Sequence, residues 1–187
     1  MKFTIFSIFI ILASIVSSCN NEAERQAMVS DFNIMYIEMN KASGAINNFW
    51  HEMLTATKTA DIHPEKRIDS TYAESILKQY ESSTNILNTA IANISVLTEV
   101  DPDLLIKEKI LVHLQNTKDI QETAIPKSID AIRNGLDIMT DDERNAFLQF
   151  HVKGEELQKE SDKLLKSVEI FILKHNITKQ ELDMLEK

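Results

Sequence analysis

The chain has 187 residues, of which 3 are Gly, 3 are Pro and 1 is Cys. Average usage would put about 13 Gly and 9 Pro in that length, so turn-rich sandwiches and barrels, collagen-like repeats and glycine-rich phosphate loops are all but excluded. A single Cys closes no intramolecular disulfide and builds no thiolate metal site. With 43% apolar and 26% charged residues, the chain reads as mostly helical.

Residues 1–18 read as an export signal. Lys2 is the only charge before Glu22, and Phe3 to Val16 is apolar apart from Thr4, Ser7 and Ser14. That stretch is shorter than the roughly 20 residues that span a bilayer core. It ends in Val16-Ser17-Ser18-Cys19. An aliphatic residue, two small residues and a Cys in that position resembles the lipobox of bacterial lipoproteins. The resemblance implies removal of the leader and a diacylglyceryl group on Cys19, with 19–21 as a short tether and 22–187 as one helical domain. Each buried methylene adds about 0.8 kcal/mol, so several acyl chains hold the protein on a membrane without a spanning helix. Asn20 follows the Cys, and it is not the Asp of the inner-membrane retention rule. The expected location is therefore the outer membrane, with its periplasmic and outward faces both open.

Loss of Lys2 with the leader takes the formal charge from −9 to −10. Nucleic acid requires a basic stripe and is excluded as a partner. The acidity reads first as a solvated, mutually repelling surface.

Breaks at 59–64, 100–102 and 137–142 leave four helical patterns, near 22–58, 67–99, 103–136 and 141–176. Each would be roughly 50–55 Å long at 1.5 Å per residue, and equal lengths with short connections favour antiparallel neighbours. In the first, Met28, Phe32, Met35, Met39, Ala42, Ile46, Phe49 and Met53 recur at alternating steps of four and three, a heptad seam. The second carries Ile76, Ser83, Leu87, Ala90, Ile94 and Leu97 on one stripe. The third aligns Ile106, Ile110, His113, Thr117, Ile120 and Ala124, and passes after Pro126 to Ile129, Ile132 and Leu136. The fourth runs Phe147, Phe150, Gly154, Leu157, Ser161, Leu164, Val168, Phe171 and His175. Pro102 stands where the third helix can start and Gly135 where it can end. Thr140–Glu143 and Thr178–Glu181 fit capping boxes, the second opening a short tail helix. A proline inside a helix removes a hydrogen bond and crowds the preceding turn, so a kink or short break is expected near Ala124-Ile125. Gly154 and Ser161 would either admit a neighbouring helix closely or accommodate a large residue opposite. The expected fold is all-α: an antiparallel up-down four-helix bundle with a kinked third helix and a short C-terminal tail helix.

Chemistry is sparse. A ferritin-like di-iron site needs Glu three residues before His on two helices. Asn48, Ala60, Ile110, Leu148 and Ile172 precede the five histidines at that spacing, so the site is excluded. A Met stripe at heptad spacing reads as core rather than haem ligands. His151 and Glu155 are four apart and fit a metal pair, though the ordinary reading is a solvent-facing ion pair. No catalytic motif is present, no enzyme is expected, and no cofactor. Tyr36, Trp50 and Leu54 lie off the main seam of the first helix, where they either widen its apolar face or form a partner surface. His113, Pro126 and Phe150 mark a place where a kinked helix would open a ligand cavity. The tail residues Ile177, Leu182, Met184 and Leu185 would fold over the open bundle end or dock a partner.

The whole chain resembles a loose group of uncharacterised helical surface lipoproteins of diderm bacteria. The resemblance rests on the lipobox, on Phe32-Asn33, on Asp101-Pro102-Asp103-Leu104-Leu105 and on Phe171-Ile172-Leu173-Lys174-His175-Asn176. It implies location and a helical body, and no catalytic residues. The expected role is a lipid-anchored envelope protein that binds or scaffolds another envelope protein. The alternatives are a small-ligand sensor or carrier with a cavity between helices, and an immunity-type protein whose acidity suits a basic toxin.

Overall fold

The computed structural model describes the backbone of residues 3–62, 70–134 and 138–183 and the side chains over 22–56, 71–134 and 138–182. The elements are α1 (Phe3–Ile62), α2 (Ser70–Ser95), α3 (Ile106–Thr123), α4 (Ile125–Asn134), α5 (Asp141–Lys174) and α6 (Lys179–Asp183). The protein is all-helical, with no strand among the described residues. None of its helices, among those residues, is long and apolar enough to cross a membrane. Cys19 and the other leader side chains, Pro64, Gly135, Leu136, Met184 and Leu185 lie outside the described residues.

The apolar seams are the core. Phe32, Met35, Met39, Ala42, Ile46, Phe49 and Met53 of α1 are all buried. Ile76, Leu87, Ala90 and Ile94 of α2 meet them, with Ile106, Ile110, Leu114 and Ile120 of α3 and Leu157, Leu164, Val168 and Phe171 of α5. A side chain of this size is worth about 1.5–3 kcal/mol when fully buried, so the seams account for most of the driving force. Helix α1 lies along α2, α2 along α3, and both α3 and α4 along α5. Hydrogen bonds set the register of α1 and the α2 region: Thr98 N–H to Asp31, Asn93 to Glu38 and the Tyr72 hydroxyl to Glu52.

The chain between Thr123 and Ile125 is broken at Ala124. Ala124 N–H still bonds the Ile120 carbonyl at 3.0 Å, and Ser128 N–H bonds the Ala124 carbonyl at 3.1 Å. Pro126 therefore falls in the first turn of a new helix, where a missing N–H costs nothing. The break lets α4 bury Ile125, Ser128, Ile129 and Ile132.

The α2–α3 connection departs from expectation. Pro102 does not open a helix; residues 102–105 form a turn and α3 starts at Ile106. Leu105, its N-cap, sits at φ 51°, a left-handed conformation that costs a non-glycine residue about 1 kcal/mol or more. Two carboxylates hold it there. Asp101, 2% exposed, accepts from the N–H groups of Asp103 and Leu104 at 3.0 and 3.1 Å. Glu99 accepts from the N–H groups of Lys107 and Glu108, both at 3.2 Å, which caps the exposed end of α3. Asp101 also receives Lys174 Nζ at 2.8 Å and His175 Nε2 at 2.9 Å. An ionised carboxylate only accepts, so His175 carries its proton on Nε2.

The tail is fastened to the start of the α1 body. Thr178 and Glu181 exchange capping-box hydrogen bonds, as Thr140 and Glu143 do at α5. Arg25 bonds the Glu181 carboxylate at 2.7 Å, and the Asn33 amide donates to the Glu181 carbonyl at 2.6 Å. Ile177 is buried and Leu182 packs on the core.

These carboxylates make the fold acid-sensitive. Burial raises the Asp101 pKa, but the bonds from Lys174, His175 and the two backbone amides outweigh it and hold the carboxyl well below the usual range. The bond from Arg25, followed by those from Thr178, draws Glu181 down to about 2. A depressed carboxyl contributes stability above its unfolded pKa of about 4 and loses it as pH falls through the folded value. Stability should thus decline below about pH 4. Asp101→Asn should cost about 1–3 kcal/mol at pH 7 and flatten that acid decline, read by urea denaturation across pH. An unchanged acid profile in the variant would remove Asp101 from this role.

Candidate functional site

Helices α1 and α5 meet through large rings rather than through their backbones, which barely approach each other. Near one end, the Phe32 and Phe171 ring centroids are 4.4 Å apart. Near the other, Trp50 and Phe150 meet edge to face at 5.4 Å and 87°, a favoured aromatic geometry. Between these two props the lining includes four small residues, Ala42 and Ser43 on α1 and Gly154 and Ser161 on α5. They leave a cleft of about 600 Å³, within the range of small-molecule sites. Gly154 faces a large residue, Trp50, and not a closely approaching helix backbone. A Cβ there would meet only the Trp50 ring, at 4.0 Å.

The cleft floor is apolar and buried, formed by Met39, Ile46, Leu87, Leu114, Phe150 and Leu157. Its rim is polar and exposed, with Asn40 and Asn47 on α1 and His151, Glu155 and Gln158 on α5. The one hydroxyl on the floor is satisfied internally, since Thr117 donates to the His113 carbonyl at 2.8 Å.

A buried polar chain anchors the Trp50 wall. The indole N–H donates to Gln121 Oε1 at 2.9 Å. Gln121 is fully buried, and its amide donates to Ser83 Oγ at 3.0 Å and Thr84 Oγ1 at 3.3 Å. The Ser83 hydroxyl in turn donates to the Tyr80 carbonyl at 3.0 Å. Each buried polar atom thus has a partner, which is the condition for such a chain to rigidify a core.

His113 lines the cleft from α3, and its Nδ1 is shielded from water without a hydrogen-bond partner. Burial lowers its pKa, against a smaller upward pull from Glu160, so the ring is uncharged at neutral pH. Among the described residues no Lys or Arg lines the cleft. Among the described residues no group of three or more His, Cys, Asp or Glu side chains is placed to hold a metal.

The residues singled out in the sequence are redistributed by this geometry. Trp50 and Leu54 face the cleft, whereas Tyr36 stacks on Phe32 with centroids 6.0 Å apart, away from it. Trp50 is oriented by Gln121 and Tyr36 by the Phe32 ring, and Tyr36 is not among the cleft-lining residues. His113 and Phe150 do line one cavity, but Pro126 does not; its ring belongs to the first turn of α4. His151 and Glu155 share the rim, and among the described residues no ion pair joins them. His151 instead packs edge to face on Phe147, with centroids 4.9 Å apart. Gln121 was missed. It lies one position beyond the Ile120 stripe, and only the nearness of Trp50 and Ser83 makes its burial favourable.

Comparison with protein-family models, with curated proteins and with solved structures finds no match to this chain.

Trp50→Phe keeps a ring against Phe150 but leaves Gln121 Oε1 without its donor. It should lower stability by about 1–3 kcal/mol, measured by urea denaturation followed by circular dichroism. Combined with Gln121→Leu the losses should add up to clearly less than their sum; strict additivity would mean the two side chains are not coupled.

Proposed function

We propose that this is a lipid-anchored, non-enzymatic envelope protein whose helical body holds a small ligand in the cleft between α1 and α5. The observation that carries this reading is the cleft itself: an apolar floor, a polar rim and a wall pinned by buried hydrogen bonds, the usual make-up of a ligand site. The body is proposed to be an antiparallel four-helix bundle with α3 and α4 as one interrupted arm. The pairings of residue 31 with 98, 38 with 93 and 52 with 72 support that topology for α1 and α2. The ring pairs 32 with 171 and 50 with 150 support it for α1 and α5.

The anchor reading rests on the Val16–Cys19 lipobox and on the resemblance to helical surface lipoproteins. It places the protein at the outer membrane through acyl chains on Cys19. Cells making the Cys19→Ala chain should incorporate no labelled palmitate into it and should retain the leader. Labelling equal to that of the unaltered protein would defeat this assignment.

Trp50 is the sole tryptophan of the chain and lines the cleft, so its emission reports on the site directly. A panel of small uncharged, acidic, basic and aromatic compounds is expected to contain ligands that shift Trp50 emission and raise the melting temperature. Ser161→Phe, which fills the cleft from α5, should weaken their binding at least about tenfold, or about 1.4 kcal/mol. A panel without response would argue against a ligand carrier. A protein-binding role has a separate footing on α5, where Leu148 and Val152 are 56% and 58% exposed one turn apart. Capture of a defined envelope partner that is lost on Leu148→Lys would favour it.

A further inference from the structure

Helix α5 carries large apolar side chains on the face turned away from the core. Leu148 and Val152 are exposed near its start, and Ile170 and Leu173 are 52% and 76% exposed near its end. Between these pairs, Lys159, Lys163 and Lys166 are exposed as well. At about 100° per residue all of them fall within an arc of about 80°. That arc lies opposite the buried stripe of Phe150, Leu157, Leu164, Val168 and Phe171. From Leu148 to Leu173 the arc contains one further residue, Glu155. The face is about 37 Å long at 1.5 Å per residue, apolar at both ends and basic in the middle.

Its charge runs against that of the whole chain. The protein has 20 Lys and Arg against 29 Asp and Glu, whereas this face sets three Lys against Glu155 alone. Among the described residues none of the three lysines is held in an ion pair, unlike Arg25 with Glu181 or Lys174 with Asp101. The order of residues is the reverse of a protein interface, whose buried centre is apolar and poor in Lys and whose rim is polar. A lipid surface accepts this order. Apolar side chains of an interfacial helix enter the boundary of the acyl layer. Lysine stems lie along apolar surface while their ammonium groups stay at the level of the phosphates. The Phe171 ring packs on Phe32, thirteen positions after Cys19, so the Leu173 end of the face lies beside the end of α1 nearest the proposed anchor.

We infer that the outward face of α5 is a membrane-docking surface, which lays the body along a bilayer containing anionic phospholipid. The inference rests on the proposed anchor at Cys19, which brings the body to the bilayer, and goes beyond it by assigning the face that meets the lipid.

The test reads that face in the acylated protein. Acylation of Cys19 leaves an introduced cysteine as the sole free thiol. Val152→Cys, Ile170→Cys and, on the exposed side of α2, Ser82→Cys therefore each carry one environment-sensitive dye. The palmitate-labelled chains are reconstituted into vesicles of phosphatidylcholine, with or without phosphatidylglycerol. Phosphatidylglycerol should shift the emission at positions 152 and 170 to the blue and leave that at position 82 unchanged. Salt at about 1 M, which shortens the screening length to about 3 Å, should reduce the shift. Each lysine near an anionic surface is worth about fivefold in attraction. Lys163→Glu with Lys166→Glu should thus weaken docking at least about 25-fold and abolish both shifts, with a cooperative melt retained. Emission at positions 152 and 170 that ignores phosphatidylglycerol would overturn the docking surface, while the palmitate label left the anchor standing. Capture of an envelope protein on this face without any response to lipid would overturn it too. A chain that takes up no palmitate would remove the anchor and this inference with it.

Discussion

The indole of Trp50 reaches two other helices directly and a third through Gln121, and the arrangement of the body follows from what it needs on each side. Its N–H is bonded by Gln121 of α3, and Gln121 is in turn satisfied by Ser83 and Thr84 of α2. Its ring edge meets Phe150 of α5. A buried donor left unpaired costs about 1–3 kcal/mol, so the rotamer of Trp50 and the azimuth of α3 are set together. With Phe32 and Phe171 as the second spacer, α1 and α5 are kept apart by rings, and the small residues between the rings leave space instead of contact. The cleft is a consequence of where large and small side chains fall along two seams.

The opposite end is organised by carboxylates. Asp101 gathers Lys174, His175 and two backbone amides, while Glu99 caps α3 across the same turn. Glu181 joins Arg25 to the tail helix. The Asp101 and Glu99 bonds tie the α2–α3 turn and the start of α3 to the end of α5, Glu181 ties α6 to α1, and the turn bonds hold the unfavourable left-handed backbone at Leu105. The Phe32–Phe171 spacer lies next to this clamp, so the width of the cleft at that end depends on it. The clamp and the Trp50 junction together make a preformed site, which loses less entropy on binding than one that must be ordered.

The cleft joins a buried apolar floor to a polar, exposed rim, and among the described residues its lining includes neither Lys nor Arg. His113 stands on that lining with its Nδ1 unpartnered, and burial lowers its pKa.

The helical class, the four stripes, the break beside Pro126 and both capping boxes were legible in the residues alone. Each depends on spacing of seven residues or less, and local sequence specifies that range through helix periodicity and backbone hydrogen-bond needs. His113, Phe150, Trp50 and Leu54 were also singled out, but as two separate features. Their convergence on one cleft depends on the relative rotation of α1, α3 and α5, which no single helix encodes. The same holds for Gln121, Glu99 and Asp101, polar residues whose burial or capping role exists only once partners 8 to 74 positions away arrive. Gly154 and Ser161 show the difference most plainly. The sequence by itself placed two small side chains on the seam of α5. Only the tertiary structure decided that rings on either side would hold α1 off them, because the separation of two helices is set by their largest facing residues and not by their smallest.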